Sequence, residues 1–186
     1  MESIDVSRRA LLKGSLRHER ALRPPWAVPE ALFLQLCTRC GECQGACETQ
    51  IILPGDGGYP EVDFSRGECT FCQACVDSCP EGALVDLCKS QGAMPEKSQG
   101  AVPWHHVANI GQECLGIKGV YCKSCGEVCE VGAISFTFGS GRVPVPNVMS
   151  DACNGCGACV SVCPQDAIKV SHQESAEAHV WTMSAA

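Results

Sequence analysis

One cysteine pattern occurs in its most regular form near the end of the chain. Residues 153–164 read CNGCGACVSVCP, with the spacing C-x2-C-x2-C-x3-C-P. Three closely spaced thiolates on one curled loop can reach three corners of a cubane [4Fe–4S] cluster, and the fourth cysteine leaves that loop on a helix. Gly155 and Gly157 allow a tight turn that points amide N–H groups at the cluster sulfurs. The pattern therefore indicates a chain that folds around iron–sulfur clusters.

This pattern accounts for almost all of the cysteine. The chain has 186 residues and 17 cysteines, of which sixteen fall into four motifs. The motifs over 37–47 and 69–80 are regular, although only the second ends in proline. The third, over 114–129, has the spacing C-x7-C-x2-C-x3-C, with Gly119 where a cysteine is expected. Cys114 can serve as a ligand if residues 115–121 bulge outward; otherwise this site holds a three-iron or incomplete cluster.

A cysteine-rich chain can also be held together by disulfides or by zinc. Disulfides would leave the seventeenth cysteine unpaired and would not require metal-ligand spacing. Zinc needs two C-x2-C pairs per ion, which does not explain a third cysteine two residues further on. Both are disfavoured. Cys88 lies outside the motifs and is interpreted as a spare thiol, while His105 and His106 are expected to be solvated or hydrogen-bonded rather than ligating.

The order of the motifs indicates a duplication. Each half places a motif without a final proline before one that carries it, with apolar–turn–apolar sequence between them and a short strand after them. This is the layout of a bacterial two-cluster ferredoxin, in which the fourth cysteine of each motif ligates the other cluster. The sequence thus predicts an α+β fold of two tandem two-cluster ferredoxin-like units of βαββαβ type, stabilised by [4Fe–4S] clusters.

The crossover rule assigns the sixteen cysteines to four ligand sets. Set 1 is Cys37, Cys40, Cys43 and Cys79. Set 2 is Cys69, Cys72, Cys75 and Cys47. Set 3 is Cys114, Cys122, Cys125 and Cys163. Set 4 is Cys153, Cys156, Cys159 and Cys129. Four [4Fe–4S] clusters are expected, or three if the Cys114 motif is incomplete.

Residues 1–25 differ in composition from the rest and are predicted to be a basic tail. A twin-arginine-like motif at 7–13 is not followed by the apolar stretch that an export signal needs. A flexible tail, a short amphipathic partner-docking helix and a cleaved signal are the three interpretations. The first unit is placed at 26–87, a linker at 88–103, the second unit at 104–172 and a C-terminal tail at 173–186.

Charge and motif content exclude several functions. The formal net charge of −7 argues against nucleic acid as a partner. No apolar run approaches the length of a transmembrane helix, so an integral membrane protein is not expected. There is no nucleotide-binding glycine fingerprint and no nucleophile–base pair, and the regular sets show no open iron site. A catalytic enzyme is therefore not predicted.

Further short motifs accompany the cysteines. They are SRR at 7–9, RPPW at 23–26, CTRC at 37–40, GGYP at 57–60, the irregular motif over 114–129 and CNGCGAC at 153–159. With these motifs the chain resembles the NapF-type ferredoxin-like accessory proteins of the periplasmic nitrate reductase system.

The resemblance implies a cytoplasmic protein that binds the molybdenum-containing catalytic subunit of that system before the subunit is exported. It would assist maturation, by loading or reducing the subunit's own cluster. The basic tail with Arg8 and Arg9 is the candidate partner-binding segment. A general electron-transfer ferredoxin or subunit and an oxygen or redox sensor are the alternatives.

Overall fold

A computed structural model of the chain describes residues 21–86, 104–138 and 141–172. In chain order its elements are α1 Glu30–Leu36, α2 Glu42–Gly45, β1 Ile52–Pro54, a 3-10 turn Asp56–Gly58, β2 Pro60–Val62, α3 Ala74–Asp77, β3 His106–Ile110, α4 Ser124–Glu127, β4 Ile134–Phe138, β5 Pro144–Val148, α5 Ala158–Ser161 and β6 Ile168–His172. Arg8, Arg9, Cys88, the predicted linker and the predicted C-terminal tail lie outside the described residues.

The second half has the element order strand, helix, strand, strand, helix, strand. Its first and last strands, β3 and β6, pair antiparallel from His106 opposite His172 to Ile110 opposite Ile168. Between them, β4 and β5 form an antiparallel hairpin. Alternating residues at 134–138 predicted β4, and apolar segments at 143–145 and 167–170 predicted β5 and β6. The sequence did not single out β3, which begins close to the end of the predicted linker.

The first half follows a similar plan with less strand. β1 and β2 pair antiparallel, with Ile52 opposite Val62. In place of an outer strand pair there is a single bridge between Ala27 and Leu84. The short strand predicted after the second motif is thus reduced to that bridge, although Val85 N–H still donates to the Trp26 carbonyl at 2.9 Å. The mixed helix and strand content agrees with the predicted α+β class.

One continuous apolar core runs through both halves of the described chain. Its larger side chains are Phe33, Ile51, Ile52, Phe64, Trp104, Ile134 and Ile168. The third cysteine of each motif is buried in the same core: Cys43, Cys75, Cys125 and Cys159. The core is small and partly made of thiols, so we expect clusters bound by those thiols to supply much of its stability.

The RPPW motif fastens the start of the first half. Arg23 forms a two-pronged ion pair with Glu30, at 3.0 and 2.8 Å, and donates to the Pro60 carbonyl at 3.1 Å. Its guanidinium also lies over the Phe33 ring, 5.1 Å from the centroid. The two prolines that follow are almost fully buried. Residues 22–25, which the sequence placed in the basic tail, therefore pack as part of the first half.

Candidate iron–sulfur centres

The three regular motifs share one backbone shape. The residues on both sides of the second cysteine have positive φ: 61° and 84° at Arg39 and Gly41, 54° and 65° at Phe71 and Gln73, 71° and 83° at Gly155 and Gly157. A left-handed residue on each side of the second cysteine curls the loop tightly around that cysteine. The irregular third motif departs from this shape, because Lys123 at the corresponding position has φ −133°.

Set 1 lines a single cavity. Around it stand all four of its thiols, Cys37, Cys40, Cys43 and Cys79, together with Phe33, Pro60 and Leu84. The pKa of the Cys43 thiol is raised to about 11, chiefly by burial and then by repulsion from Cys37, Cys79 and Cys40. Cys79 comes from the second motif, so the structure brings together the residues that the crossover rule assigned to this set.

Set 3, which includes the irregular motif, lines a second cavity. Cys114, Cys122, Cys125 and Cys163 border it, along with Ile110, Leu115 and Ile168. The pKa of Cys125 is also raised to about 11. Burial is the largest cause, and repulsion from Cys114 and Cys122 is the next.

The segment between Cys114 and Cys122 folds into a compact turn. Lys118 N–H donates to the Cys114 carbonyl at 3.0 Å, and Val120 N–H donates to that of Leu115 at 2.8 Å. Gly116 packs closely against Pro144 of β5, because a Cβ at position 116 would lie only 3.0 Å from the Pro144 carbonyl oxygen. The outward bulge that Cys114 needed in order to join this set is therefore present.

Sets 2 and 4 are recognisable from the electrostatic neighbours of their buried thiols. The pKa of Cys75 is raised to about 12, chiefly by burial, with smaller contributions from the other thiols of set 2 and from Cys43. The pKa of Cys159 is raised to about 12, chiefly by burial, and Cys156, Cys153 and Cys125 add to the effect. Cys129 contributes to the raised pKa of Cys156 in turn. Cys47 and Cys129, the cysteines predicted to cross over from the other motif of each half, are thus among these electrostatic neighbours.

The chemistry of these sites suits an iron–sulfur cluster. Buried thiolates that repel one another need positive charge beside them to ionise. Within the described ranges, all sixteen cysteines are free thiols, and no three Cys, His, Asp or Glu side chains converge on a point that one metal ion could occupy. Zinc–sulfur bonds of about 2.3 Å would hold four sulfurs about 3.8 Å apart. Cubane ligands each bind a different iron, so thiols that line one cavity without meeting at a single point suit a [4Fe–4S] cluster.

Backbone N–H groups already point at several sulfurs. Ala133 N–H donates to Cys129 Sγ at 3.2 Å, and Ala167 N–H donates to Cys163 Sγ at 3.3 Å. These bonds are equivalent in the two motifs of the second half, four residues after the last cysteine of each. Such hydrogen bonds stabilise negative charge on sulfur, so they would tune the potential at which a bound cluster is reduced by one electron.

The structure shows a cluster of packed ring side chains, Trp104, His106 and His172, that the sequence did not indicate. His106 is buried, and its Nε2 lies 3.2 Å from that of His172, whereas His105 is exposed. Trp104 packs against the His106 ring and donates its Nε1–H to the Asn154 carbonyl at 2.9 Å. A tryptophan beside the predicted linker, in a chain with only three, was the one available signal of a packing role.

Comparison with known proteins defines the class. A family model described as 4Fe-4S dicluster domain matches residues 36–84, and one described as 4Fe-4S binding domain matches residues 146–169. The protein is therefore a ferredoxin-type protein that binds [4Fe–4S] clusters. No helix among the described residues is long and apolar enough to cross a membrane.

Full-length relatives define the family within this class. The ferredoxin-type protein NapF of Escherichia coli K12 is 39% identical over 170 residues, which cover 91% of this chain and 96% of the relative. The NapF of Haemophilus influenzae is 41% identical over 81% of this chain and 78% of its own length. A methylamine utilization ferredoxin-type protein, MauM of Methylorubrum extorquens, is 32% identical over 87% of this chain and 77% of its own length. The chain belongs to the NapF family, which confirms the resemblance seen in its motifs.

Proposed function

We propose that this protein is a cytoplasmic accessory protein that binds the catalytic subunit of a periplasmic nitrate reductase before that subunit is exported. It assists maturation by loading or reducing the subunit's own cluster, and it is not itself a catalyst. The observation that carries this proposal is the 39% identity to Escherichia coli NapF over 91% of the chain.

For this role the protein carries four [4Fe–4S] clusters, one on each of sets 1 to 4, in two tandem two-cluster units. Two observations support this assignment: the lining of two cavities by complete sets, and the placement of Cys114 beside Cys122 and Cys125. Cys114 is then the fourth ligand of set 3, and the irregular motif holds a complete cluster.

Capture of the catalytic subunit tests the accessory role. The tagged chain is purified without oxygen from the cytoplasm of cells that make the subunit, and the captured subunit is quantified. Because Leu22 and Arg23 pack on the first half, the tail should be deleted only as far as residue 20. We expect capture by the full chain and its loss on deletion and in Arg8→Ala/Arg9→Ala. Lys13→Ala/Arg17→Ala removes the same charge outside the arginine pair and should retain capture.

A full chain with complete clusters that captures no subunit would contradict the accessory role. The alternative is a general electron-transfer protein, and the similarity to MauM favours it, since that relative is named for methylamine utilization. Fast electron exchange with a reductase in the absence of any stable complex would support this alternative.

A further inference from the structure

Two cysteines from different ligand sets meet where the halves of the chain touch. The N–H group of Cys69, in set 2, donates to the carbonyl of Cys156, in set 4, at 2.8 Å. The loop that carries one set is therefore hydrogen-bonded, main chain to main chain, to the loop that carries the other. We call this contact and the aromatic residues around it, Phe64, Phe71 and Trp104, the junction.

The junction is held by buried aromatic packing. Trp104 from the second half contacts Phe64 and Phe71 of the first half edge-on, with ring centroids 5.9 and 5.8 Å apart. Its Nε1–H bond to the Asn154 carbonyl fixes it to the loop of set 4. Phe64 and Trp104 are 4% and 7% exposed, so water is largely excluded and the two loops are held at a fixed separation.

Contacts within each half place the remaining sets. In the first half, α2 packs against α3, and these helices carry Cys43 of set 1 and Cys75 of set 2. In the second half, α4 packs against α5, which carry Cys125 of set 3 and Cys159 of set 4. Three contacts thus connect the sets in the order 1, 2, 4, 3.

From these contacts we propose that the four centres form one electron path in the order set 1, set 2, set 4, set 3, with the Cys69–Cys156 junction as its link between the halves. This inference rests on the four-cluster assignment of the proposed function. In each step a reduced cluster loses one electron and its oxidised neighbour gains it, and no bond or proton changes. An external one-electron reductant supplies the first electron. Trp104 and Phe64 act as positioning residues, because electron tunnelling slows steeply with distance.

The order of the centres is tested with variants that each retain the cysteines of only two ligand sets. Cys37→Ser/Cys40→Ser with Cys114→Ser/Cys122→Ser retains sets 2 and 4. The matched variant, Cys72→Ser/Cys75→Ser with Cys153→Ser/Cys159→Ser, retains sets 1 and 3. After reduction with dithionite, and with about eight irons bound per chain, EPR should show magnetic coupling in the first variant and two uncoupled signals in the second. Uncoupled signals in the first variant, or coupled ones in the second, would overturn the order.

A second experiment uses all sixteen ligands, in case those variants lose their clusters. After rapid partial reduction of the intact protein, electron redistribution among the clusters should be at least tenfold slower in Phe64→Ala/Trp104→Leu than in the wild type. Phe138→Ala, at an exposed aromatic residue of β4 that is not part of the junction, is the control. An unchanged rate at unchanged iron content would overturn the role of the junction.

The same measurements separate this inference from the proposed function. A wild type that binds clearly fewer than about sixteen irons would overturn the four-cluster assignment and the path together. Failure to capture the nitrate reductase subunit would overturn the accessory role alone, because the order of the centres depends only on this chain.

Discussion

Gly157 of the fourth motif lies directly against Phe64 of the first half. The ring of Phe64 fills the space that a side chain at position 157 would occupy. Gly41 of the first motif has almost the same backbone, with φ 84° against 83°, yet nothing lies within 4 Å of where its side chain would be. The two glycines are equivalent in the motif but not in the folded chain. Gly41 serves the turn alone, whereas Gly157 also serves the contact between halves.

Alanine at these two positions separates the two roles. Both substitutions place Cβ in the left-handed region, which costs about 1–2 kcal/mol. Gly157→Ala must also displace Phe64, which adds about 1–3 kcal/mol of overpacking. We therefore expect Gly157→Ala to lower the unfolding temperature of the cluster-loaded protein clearly more than Gly41→Ala does. Equal losses would show that the halves do not meet at Gly157.

Cys114 is predicted to be a ligand although its spacing is irregular. Cys114→Ser should lower the iron content from about sixteen to about twelve, or convert one cluster to a three-iron form with its own EPR signal in the oxidised protein. Cys88→Ser removes a thiol outside the four sets and should leave iron and EPR unchanged. Full iron content in Cys114→Ser would mean that the third site is completed by another group.

Crossed ligation predicts which cluster each fourth cysteine serves. Cys163→Ser should alter the same component of the reduced EPR spectrum as Cys122→Ser, because both belong to set 3. Cys129→Ser should instead alter the component that Cys156→Ser alters. If Cys163→Ser changed the Cys156 component, each motif would hold its own cluster and the crossover assignment would be wrong.

Arg23 is predicted to stabilise the first half rather than to bind a partner. Arg23→Ala removes its fork to Glu30 and its hydrogen bond to the Pro60 carbonyl, and we expect a loss of about 2 kcal/mol in the free energy of unfolding. Arg23→Lys keeps the charge but not the planar fork, so it should recover only part of that stability. Arg142→Ala, at an exposed position, should change stability by less than about 0.5 kcal/mol. Denaturant unfolding of the loaded protein measures all three.

His106 should make stability depend on pH. Burial, followed by repulsion from His172 and His105, lowers the pKa of His106 from 6.5 to about 4. Between those values the unfolded chain binds a proton that the folded chain does not, so stability is complete above about pH 6.5 and falls as the pH drops toward 4. The slope contributed is at most about 1.4 kcal/mol per pH unit. His106→Gln should reduce the fall, whereas His105→Gln, at the exposed neighbour, should retain most of it. Equal slopes in both variants would assign the pH dependence to other groups, including the cysteines.

The cysteine spacing by itself determined the kind of site, and it predicted the membership of the four sets. A C-x2-C-x2-C loop has few ways to present its thiols, so motif geometry is local and readable from sequence. The α+β class followed from the repeated two-cluster ferredoxin layout, and β4 followed from the alternating apolar residues at 134–138. RPPW was recognised as distinctive, but its role in packing was not, since the partners of Arg23 include Pro60, far along the chain.

Only the tertiary structure decided how the halves meet. The Cys69–Cys156 hydrogen bond, the packing of Trp104 on Phe64 and the strand β3 join residues that lie far apart in the sequence, and no spacing rule connects them. The turn that returns Cys114 to its set likewise depends on the close packing of Gly116 against β5. Ligand chemistry is a local property of each loop, whereas the order of the centres is a property of contacts between loops, and those form only when the chain is folded.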